Sequence, residues 1–294
     1  VGENVDRFTT SMVPGERSWL FYVPVLLGDL FPWAPLFLVP LALAWRPARA
    51  GEDPVGAAIR RLLWVWVVVI TGAFGVLGSA VARTFGQSGA RLALVDVTQP
   101  SAELQRDFGG AGHMLLGGAD LADVDATRKA MAAIAMRFGG IDVLVNVAGG
   151  FRWEKIEDGD IGTWDSLYSM NLRSAVVASK CALPAMLERG GGRIVNIGAG
   201  AAGKAALGMG AYAASKAGVQ RFTEALAEEL KDRNITVNAI LPGIIDTPRN
   251  RLDMPKADFT RWVSPEAIAQ VILFLASAEA ASVTGAAIPV FGRG

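Results

Sequence analysis

Residues 65–78 read VWVVVITGAFGVLG, and this stretch decides how the rest of the chain is interpreted. Its β-branched run predicts a buried strand, the glycines predict a tight turn, and the apolar, Ala-rich residues that follow predict a helix. In such a unit the glycines let the backbone approach a pyrophosphate, which also lies at the positive end of the helix. The stretch therefore predicts a dinucleotide-binding turn, with cofactor contacts at Gly72, Gly75, Leu77 and Gly78.

Strand-like and helix-like stretches alternate from this turn to the end of the chain. The strand-like runs read RLALVD, IDVLVNVAG, RIVNIG, ITVNAILPG and AAIPVFG, and a helical stretch is expected between each run and the next. Strands that alternate with helices of this length indicate a parallel sheet covered on both faces. We therefore expect an α/β fold, a doubly wound parallel sheet of the Rossmann type, as a single domain over residues 65–294.

The composition excludes several classes of function. The 28 basic and 28 acidic residues cancel and the pI is about 6.8, which argues against a nucleic-acid-binding protein. A single cysteine, Cys181, rules out an internal disulfide framework, and a single histidine, His113, leaves no basis for a His/Cys metal site. We expect no bound metal and no nucleic-acid partner.

The first 64 residues differ in texture from the rest of the chain. Residues 19–45 are long enough to span a bilayer and carry one charge, Asp29, but four prolines interrupt them. Together with RLLWVW at residues 61–66, this region resembles part of a membrane glycosyltransferase of the protein-mannosyltransferase type. We expect residues 1–64 to be an apolar N-terminal extension. Three roles stay open for it: an appendage without function, a membrane or interface anchor, or a dimerisation or substrate-lid element.

An acidic residue at the end of the second strand predicts which cofactor binds. Asp96 closes RLALVD and lies 24 positions after Gly72. An acid in this place accepts hydrogen bonds from the ribose hydroxyls and repels a 2′-phosphate. The sequence therefore favours NAD(H) over NADP(H).

The stretch YAASK predicts an acid–base pair. Tyr212 and Lys216 are four residues apart, which places both side chains on one face of a helix. A free tyrosine has a pKa of about 10, and we expect the nearby ammonium group to lower it so that the phenol exchanges protons near neutral pH. Tyr212 would then protonate an alkoxide that develops as hydride arrives.

Several motifs, in order, resemble those of the short-chain dehydrogenases/reductases from about residue 65 to the end. The turn of that family reads TGxxxGxG, in which Thr71, Gly72 and Gly78 match and Val76 replaces the middle glycine. The resemblance implies that Tyr212 and Lys216 also contact the cofactor, and that Asn171, in MNLRSA, steadies a proton relay to the lysine. Further positions that the resemblance assigns to the cofactor are Asp120, Asn146, Ala148 and Gly149, followed by Pro242, Gly243 and Thr247.

One residue of the family's catalytic set is missing. The family places a serine roughly thirteen residues before the tyrosine, to hydrogen-bond the substrate carbonyl, and that position here is Ala199. Three explanations stay open: the site is inactive, a backbone N–H replaces the hydroxyl, or the substrate needs less help. Residues 198–216 and 246–266 resemble the corresponding stretches of dihydropteridine reductase, a family member that also lacks the serine and whose conjugated imine substrate is already electrophilic.

These observations predict an NAD(P)-dependent enzyme of the short-chain type that prefers NAD(H) and reduces a ketone or 3-oxoacyl-like carbonyl. Two alternatives stay open: reduction of a quinonoid dihydropterin or quinone-like acceptor, and nucleotide binding by a regulatory protein with a degenerate site. The expected partners are a small-molecule substrate and further copies of the chain, in a homodimer or homotetramer. The expected location is the cytoplasm, with membrane contact through residues 19–45 as a further option.

Overall fold

The structure, a computed structural model, describes residues 66–293. The predicted extension over residues 1–64, its membrane contact and its resemblance to a glycosyltransferase lie outside the described residues. Among residues 66–293, no helix is both long enough and apolar enough to cross a membrane.

Within these residues, seven strands form one sheet in which every neighbouring pair is parallel. The strand order across the sheet is β3-β2-β1-β4-β5-β6-β7. This order confirms the predicted doubly wound parallel sheet of the Rossmann type. The strands are β1 (Val67–Thr71), β2 (Arg91–Val95), β3 (Met114–Leu116), β4 (Val143–Asn146), β5 (Gly192–Ile197), β6 (Ile235–Pro242) and β7 (Ala287–Val290).

Helices connect the strands, and several of them begin at a polar side chain that caps the first turn. Asp123, for example, accepts hydrogen bonds from two backbone N–H groups of the helix that follows it, which satisfies donors that have no partner inside the helix. The helices are α1 (Val76–Gln87), α2 (Ala102–Phe108), α3 (Val124–Phe138), α4 (Ile161–Leu167), α5 (Ser174–Arg189), α6 (Gly210–Leu230), α7 (Pro248–Asp253) and α8 (Pro265–Ala276). A π-helical turn, Tyr168–Arg173, joins α4 to α5, and a short 3₁₀ turn, Gly200–Ala202, follows β5.

The core has two layers, one on each face of the sheet. Successive residues of β1 alternate between them: Val68 and Ile70 pack in the layer beneath α1 and α8, and Val67 and Val69 pack in the layer beneath α3 and α5. Every residue of β1 is therefore buried, which explains why the strand reads as a continuous apolar run rather than an alternating one.

The region between β2 and β4 differs from the prediction. The sequence predicted one helix there, whereas the structure contains α2, the short strand β3 and α3. β3 is a three-residue strand at the edge of the sheet, and its residues are only partly buried. Such a short, half-exposed strand has too little periodicity to be recognised from sequence alone.

The topology brings the predicted site residues to one edge of the sheet. β1 lies between β2 and β4. The chain continues from β1 towards one edge of the sheet and from β4 towards the other edge. In open α/β sheets, the crevice beyond the carboxyl ends of the strands at this switch point is the usual place for a ligand. The glycine turn follows β1 at this point, and the NVAG stretch follows from the end of β4.

Candidate active site

A cleft of about 1280 Å³ runs along the carboxyl edge of the sheet. It is larger than the roughly 300–1,000 Å³ typical of a site for one small ligand, so it has room for a cofactor together with a substrate. The predicted residues that line it are Gly72, Gly75, Leu77, Gly78, Asp96, Asp120, Ala148, Gly149, Tyr212, Lys216, Pro242, Gly243 and Thr247.

Two glycines of the turn after β1 are required by the protein itself. Gly72 has a φ of +60°, and a Cβ atom on it would lie 2.7 Å from the Cα and N atoms of Ala148. A Cβ atom on Gly78 would lie 2.2 Å from the carbonyl oxygen of Gly72. Gly72 therefore allows the turn to pass close to the backbone that follows β4, and Gly78 allows α1 to pack against the turn.

Gly75 is different, because the protein leaves room beside it. A Cβ atom there would meet only the carbonyl oxygen of Gly72, at an ordinary 3.6 Å. Gly75 is exposed, lines the cleft and is the N-terminal cap of the 12-residue helix α1. The absence of a side chain keeps the backbone open to the cleft at the positive end of the helix, which fits a pyrophosphate group.

Asp96 connects the end of β2 to this turn. One carboxylate oxygen accepts a hydrogen bond from the backbone N–H of Phe74, at 3.0 Å. The other accepts from the backbone N–H and the hydroxyl of Thr98, both at 2.9 Å. The carboxylate is thus held in one orientation at the cleft wall, where ribose hydroxyl groups of a dinucleotide would be recognised. Asp120 is exposed at the same end of the cleft and accepts a hydrogen bond from the backbone N–H of Ala122, at 2.9 Å.

Asn146 lies beneath the cleft rather than on its wall. Its side-chain amide donates to Asn196 Oδ1, at 2.8 Å, and to Ser179 Oγ, at 3.1 Å. Asn196 in turn donates to Thr223 Oγ1, at 2.9 Å, so a buried polar network links β4 and β5 to α5 and α6. The side chain of Asn146 thus joins the elements that carry the site, and its predicted contact with the cofactor stays a prediction.

Asn171 also lies behind the cleft wall, in the π-helical turn between α4 and α5. Its Oδ1 accepts from the backbone N–H of Gly150, at 2.8 Å, and its amide donates to the carbonyl oxygen of Gly150 and to Ser215 Oγ. Ser215 donates to the carbonyl oxygen of Tyr212, at 2.8 Å. These bonds tie the loop after β4 to the first turns of α6, so Asn171 holds the two sides of the site together.

Tyr212 and Lys216 lie on α6 and both line the cleft, as the sequence predicted. Lys216 is 5% exposed and donates a hydrogen bond to the carbonyl oxygen of Ile197, at 2.8 Å. Burial lowers the pKa of Lys216 to about 8. At neutral pH most of the ammonium group is therefore still protonated, although its pKa lies close to the physiological range.

The protonation behaviour of Tyr212 corrects a prediction. The sequence predicted a pKa lowered by the lysine, whereas burial raises the pKa of Tyr212 to about 12. The physical reason is that the same burial disfavours the charged form of both groups, the phenolate and the ammonium. At neutral pH the phenol keeps its proton, which is the form that donates to a substrate oxygen.

Lys216→Met tests the burial of the ammonium group. The folded-state pKa of Lys216, about 8, lies below the ordinary value of 10.5. Below pH 8 the folded protein therefore contains a buried charge, which lowers the free energy of unfolding. This loss of stability disappears as the pH rises from 8 towards 10.5, because the buried amine is then neutral. We expect the variant to be more stable than the parent at neutral pH, and the difference in free energy of unfolding to shrink by about 3 kcal/mol between neutral pH and about pH 10. Urea unfolding across that range measures it. Lys180→Met, at an exposed lysine of α5, is the control, and a pH-independent difference would contradict the assignment.

The remaining predicted residues form the other side of the cleft. Pro242 ends β6 and Gly243 follows it, where a Cβ atom would lie 3.1 Å from Phe291 Cα. Thr247 caps α7, because its hydroxyl accepts from the backbone N–H of Asn250, at 3.1 Å. Ala199 lies in extended backbone after β5 and also lines the cleft.

Sequence reasoning missed two residues beside Tyr212 and Lys216. Ser215 is the hydroxyl that links Asn171 to Tyr212, and Phe151 packs its ring edge-on against the Tyr212 ring. The position of Ser215 directly before the lysine was available as a signal, since a buried hydroxyl on this face needs a partner. Phe151 carried no signal, because it lies in an irregular loop far from Tyr212 along the chain.

The chain is similar to known proteins of one family. The family model described as short chain dehydrogenase matches residues 66–257. D-threitol dehydrogenase from Mycolicibacterium smegmatis is 36% identical over 237 residues, which are 77% of this chain and 91% of that protein. The 3-oxoacyl-(acyl-carrier-protein) reductase of Thermotoga maritima is 34% identical over 236 residues, 77% of this chain and 96% of that protein. A crystal structure of carveol dehydrogenase from Mycobacterium avium in complex with NAD matches with a TM-score of 0.70 and 27% identity, over 77% of this chain and 96% of that one.

The chain belongs to the short-chain dehydrogenase family. Membership makes it an oxidoreductase that uses a nicotinamide cofactor, and it agrees with the cleft geometry described above. The likeness to dihydropteridine reductase and to a mannosyltransferase is not shown by these relatives.

Val76 and Ala199 depart from the family pattern, and both line the cleft. Val76 is the first residue of α1, where the family has a glycine, and its side chain is 46% exposed. Gly75, one position earlier, supplies the open backbone instead. Ala199 leaves the substrate end of the cleft without the hydroxyl that the family places there.

Proposed function

We propose that the protein is an NAD(H)-preferring reductase of a carbonyl group, with Tyr212 as the proton donor. The observation that carries the proposal is that Tyr212 and Lys216, on one face of α6, line the same cleft as the glycine turn and Asp96. A nicotinamide cofactor supplies the hydride when it is bound. Gly72, Gly75 and Gly78 would hold its pyrophosphate, and Asp96 would hold its adenosine ribose.

The protein's own groups handle the proton. The pKa of Tyr212, which burial raises from 10 to about 12, lies far above neutral pH, so the phenol keeps its proton there and donates it to the substrate oxygen as negative charge develops. The ammonium group of Lys216 lies four residues further along the same helix, lines the same cleft and donates to the carbonyl oxygen of Ile197. Asn171 and Ser215 hold the loop after β4 against this turn of α6. The protonated Tyr212 is thus the acid that reduction of a carbonyl group requires.

A second candidate is favoured by Ala199. Without a hydroxyl at this position, the substrate oxygen receives one hydrogen bond fewer from a side chain than in the family pattern. A conjugated acceptor, such as a quinonoid dihydropterin or a quinone, is already electrophilic and depends less on that bond. This candidate keeps Tyr212 and the cofactor site in the same roles and changes only the class of substrate.

The experiment that tests the proposal is NADH oxidation by the purified full chain with four acceptors: an aliphatic ketone, a 3-oxoacyl thioester, a quinone and a quinonoid dihydropterin. Turnover of the ketone or the thioester supports the first candidate. Turnover restricted to the quinone and the pterin supports the second. NADH binding without turnover of any of them would contradict both and favour a regulatory protein with a degenerate site.

Asp96→Ser tests the cofactor preference. Removal of the carboxylate takes away the ribose acceptor and the charge that repels a 2′-phosphate. We expect the ratio of the Kd values for NADPH and NADH to fall by about tenfold to a hundredfold, equivalent to roughly 1.4–2.8 kcal/mol. Titration of the fluorescence of each reduced cofactor measures both constants without any substrate.

Thr98→Val is the matched control for this variant. It removes one hydroxyl that donates to Asp96 and keeps both the carboxylate and the backbone N–H bond. The preference for NADH should survive in this control. If Asp96→Ser left the ratio unchanged, recognition of the cofactor by Asp96 would have to be abandoned.

A further inference from the structure

The loop after β4 brings an aromatic side chain against the catalytic phenol. The rings of Phe151 and Tyr212 have centroids 4.9 Å apart and planes at 90°, an edge-to-face contact. Phe151 lines the cleft and is 54% exposed, so it is not held there by burial in the core. We propose that Phe151 is a positioning residue, which fixes the plane of the Tyr212 ring at the mouth of the cleft and screens it from water.

The loop that carries Phe151 is tied to the loop that precedes Tyr212. The backbone N–H of Glu154 donates to the carbonyl oxygen of Gly208, at 2.8 Å. Gly208 has a φ of +72°, and a Cβ atom on it would lie 2.3 Å from the Trp153 ring. We call this pair of contacts, Trp153 and Glu154 on Gly208, the loop clasp. It connects the segments after β4 and after β5, so Phe151 and Tyr212 are held from both sides.

Glu154 joins the loop clasp to α4. The carboxylate of Glu154 accepts from the hydroxyl of Thr163, at 2.6 Å, and from the backbone N–H of Asp160. These bonds, the one from Thr163 first, hold the pKa of Glu154 below its ordinary value, so the carboxylate stays charged at neutral pH. Arg152 also donates to the Thr163 hydroxyl, at 3.1 Å. The loop from Phe151 to Asp160 is therefore fixed at both ends.

The contact with Phe151 adds to the burial of the phenol. Burial is what raises the pKa of Tyr212, and the Phe151 ring packs edge-on against the Tyr212 ring. The edge-to-face contact also limits rotation of the Tyr212 ring about its own axis.

Phe151→Ala tests the proposal through the titration of Tyr212. The chain has three tyrosines, so a protein labelled with ¹³C at the tyrosine ring Cζ gives few NMR signals. The signal that is lost in Tyr212→Phe is that of Tyr212. We expect the midpoint of Tyr212 to fall by about one pH unit in Phe151→Ala, because water reaches the ring, and by less in Phe151→Leu, which restores apolar cover. The ionisable groups that line the cleft, among them Lys204, Lys216 and Asp165, are unchanged in both variants.

Two further variants separate positioning from general stability. Phe274→Ala removes an equally exposed phenylalanine, 50% accessible on α8, and should leave the midpoint where it is in the parent. Gly208→Ala opens the loop clasp without changing Phe151, and should shift the midpoint in the same direction as Phe151→Ala. A midpoint that is the same in the parent, Phe151→Ala and Gly208→Ala would overturn the proposal.

The proposal rests on the proposed role of Tyr212 as proton donor, and the titration distinguishes the failure of one from the failure of the other. The titration uses the protein without substrate, so it reads the position of the phenol alone. A shifted midpoint in a protein that reduces no acceptor would keep Phe151 as a positioning residue and overturn the proposed reaction. Turnover with an unshifted midpoint would keep the proposed reaction and overturn Phe151 as a positioning residue.

Discussion

Replacing Tyr212 by phenylalanine should lower kcat for the accepted substrate by about a hundredfold to ten-thousandfold, the range expected for loss of a positioned acid. The ring and its contact with Phe151 survive in this variant, and only the hydroxyl is lost. Because the Tyr212 hydroxyl takes part in no hydrogen bond within residues 66–293, the free energy of unfolding should change little. The loss therefore reports on proton donation to the substrate oxygen.

The measurement is steady-state reduction with NADH, together with the Kd for NADH. A variant that binds NADH with a Kd close to that of the parent and yet turns over slowly places the defect in the chemical step. A kcat within about threefold of the parent would remove Tyr212 from the mechanism, since even a weak general acid contributes more than that. Lys180→Met serves again as a surface control that should leave the kinetics unaltered.

Replacing Ala199 by serine should raise kcat/KM for an aliphatic ketone by about a hundredfold, because one donor aimed at a developing oxyanion contributes about 10²–10³. Ala199 is 5% exposed and lines the cleft, at the position where the family pattern has the serine that hydrogen-bonds the substrate carbonyl. For a quinone or a quinonoid pterin the gain should be much smaller, since these acceptors need less stabilisation of charge. The substitution therefore separates the two classes of substrate.

The matched control is Ala201→Ser, which places a hydroxyl on the same side of the cleft two residues further along. It should change the rate with a ketone far less than Ala199→Ser does. If Ala199→Ser leaves ketone reduction unchanged while the protein stays folded, a different donor already acts on the substrate oxygen. That result would contradict the interpretation of Ala199 as the cause of a weakened oxyanion site.

Much of the fold was predictable because the decisive signals are local. The apolar run before Thr71, the glycines after it and the later strand-like runs predicted the parallel sheet and the position of the cofactor turn. Strand β3 was missed, since its three half-exposed residues at the sheet edge carry no clear pattern. The hydrogen-bond partners of Asn146 were not predicted, because Asn196 and Ser179 come from distant parts of the chain.

The sequence by itself determined the chemistry that is available: a glycine turn, an acid after β2, and a tyrosine and a lysine on one helical face. Periodicity and spacing within one element were enough for these. Only the tertiary structure decided how the groups behave. Burial, which no local pattern measures, raises the pKa of Tyr212 to about 12 and lowers that of Lys216 to about 8. The contact between Phe151 and Tyr212 joins loops that follow different strands, and it exists because the parallel sheet brings the carboxyl ends of those strands together.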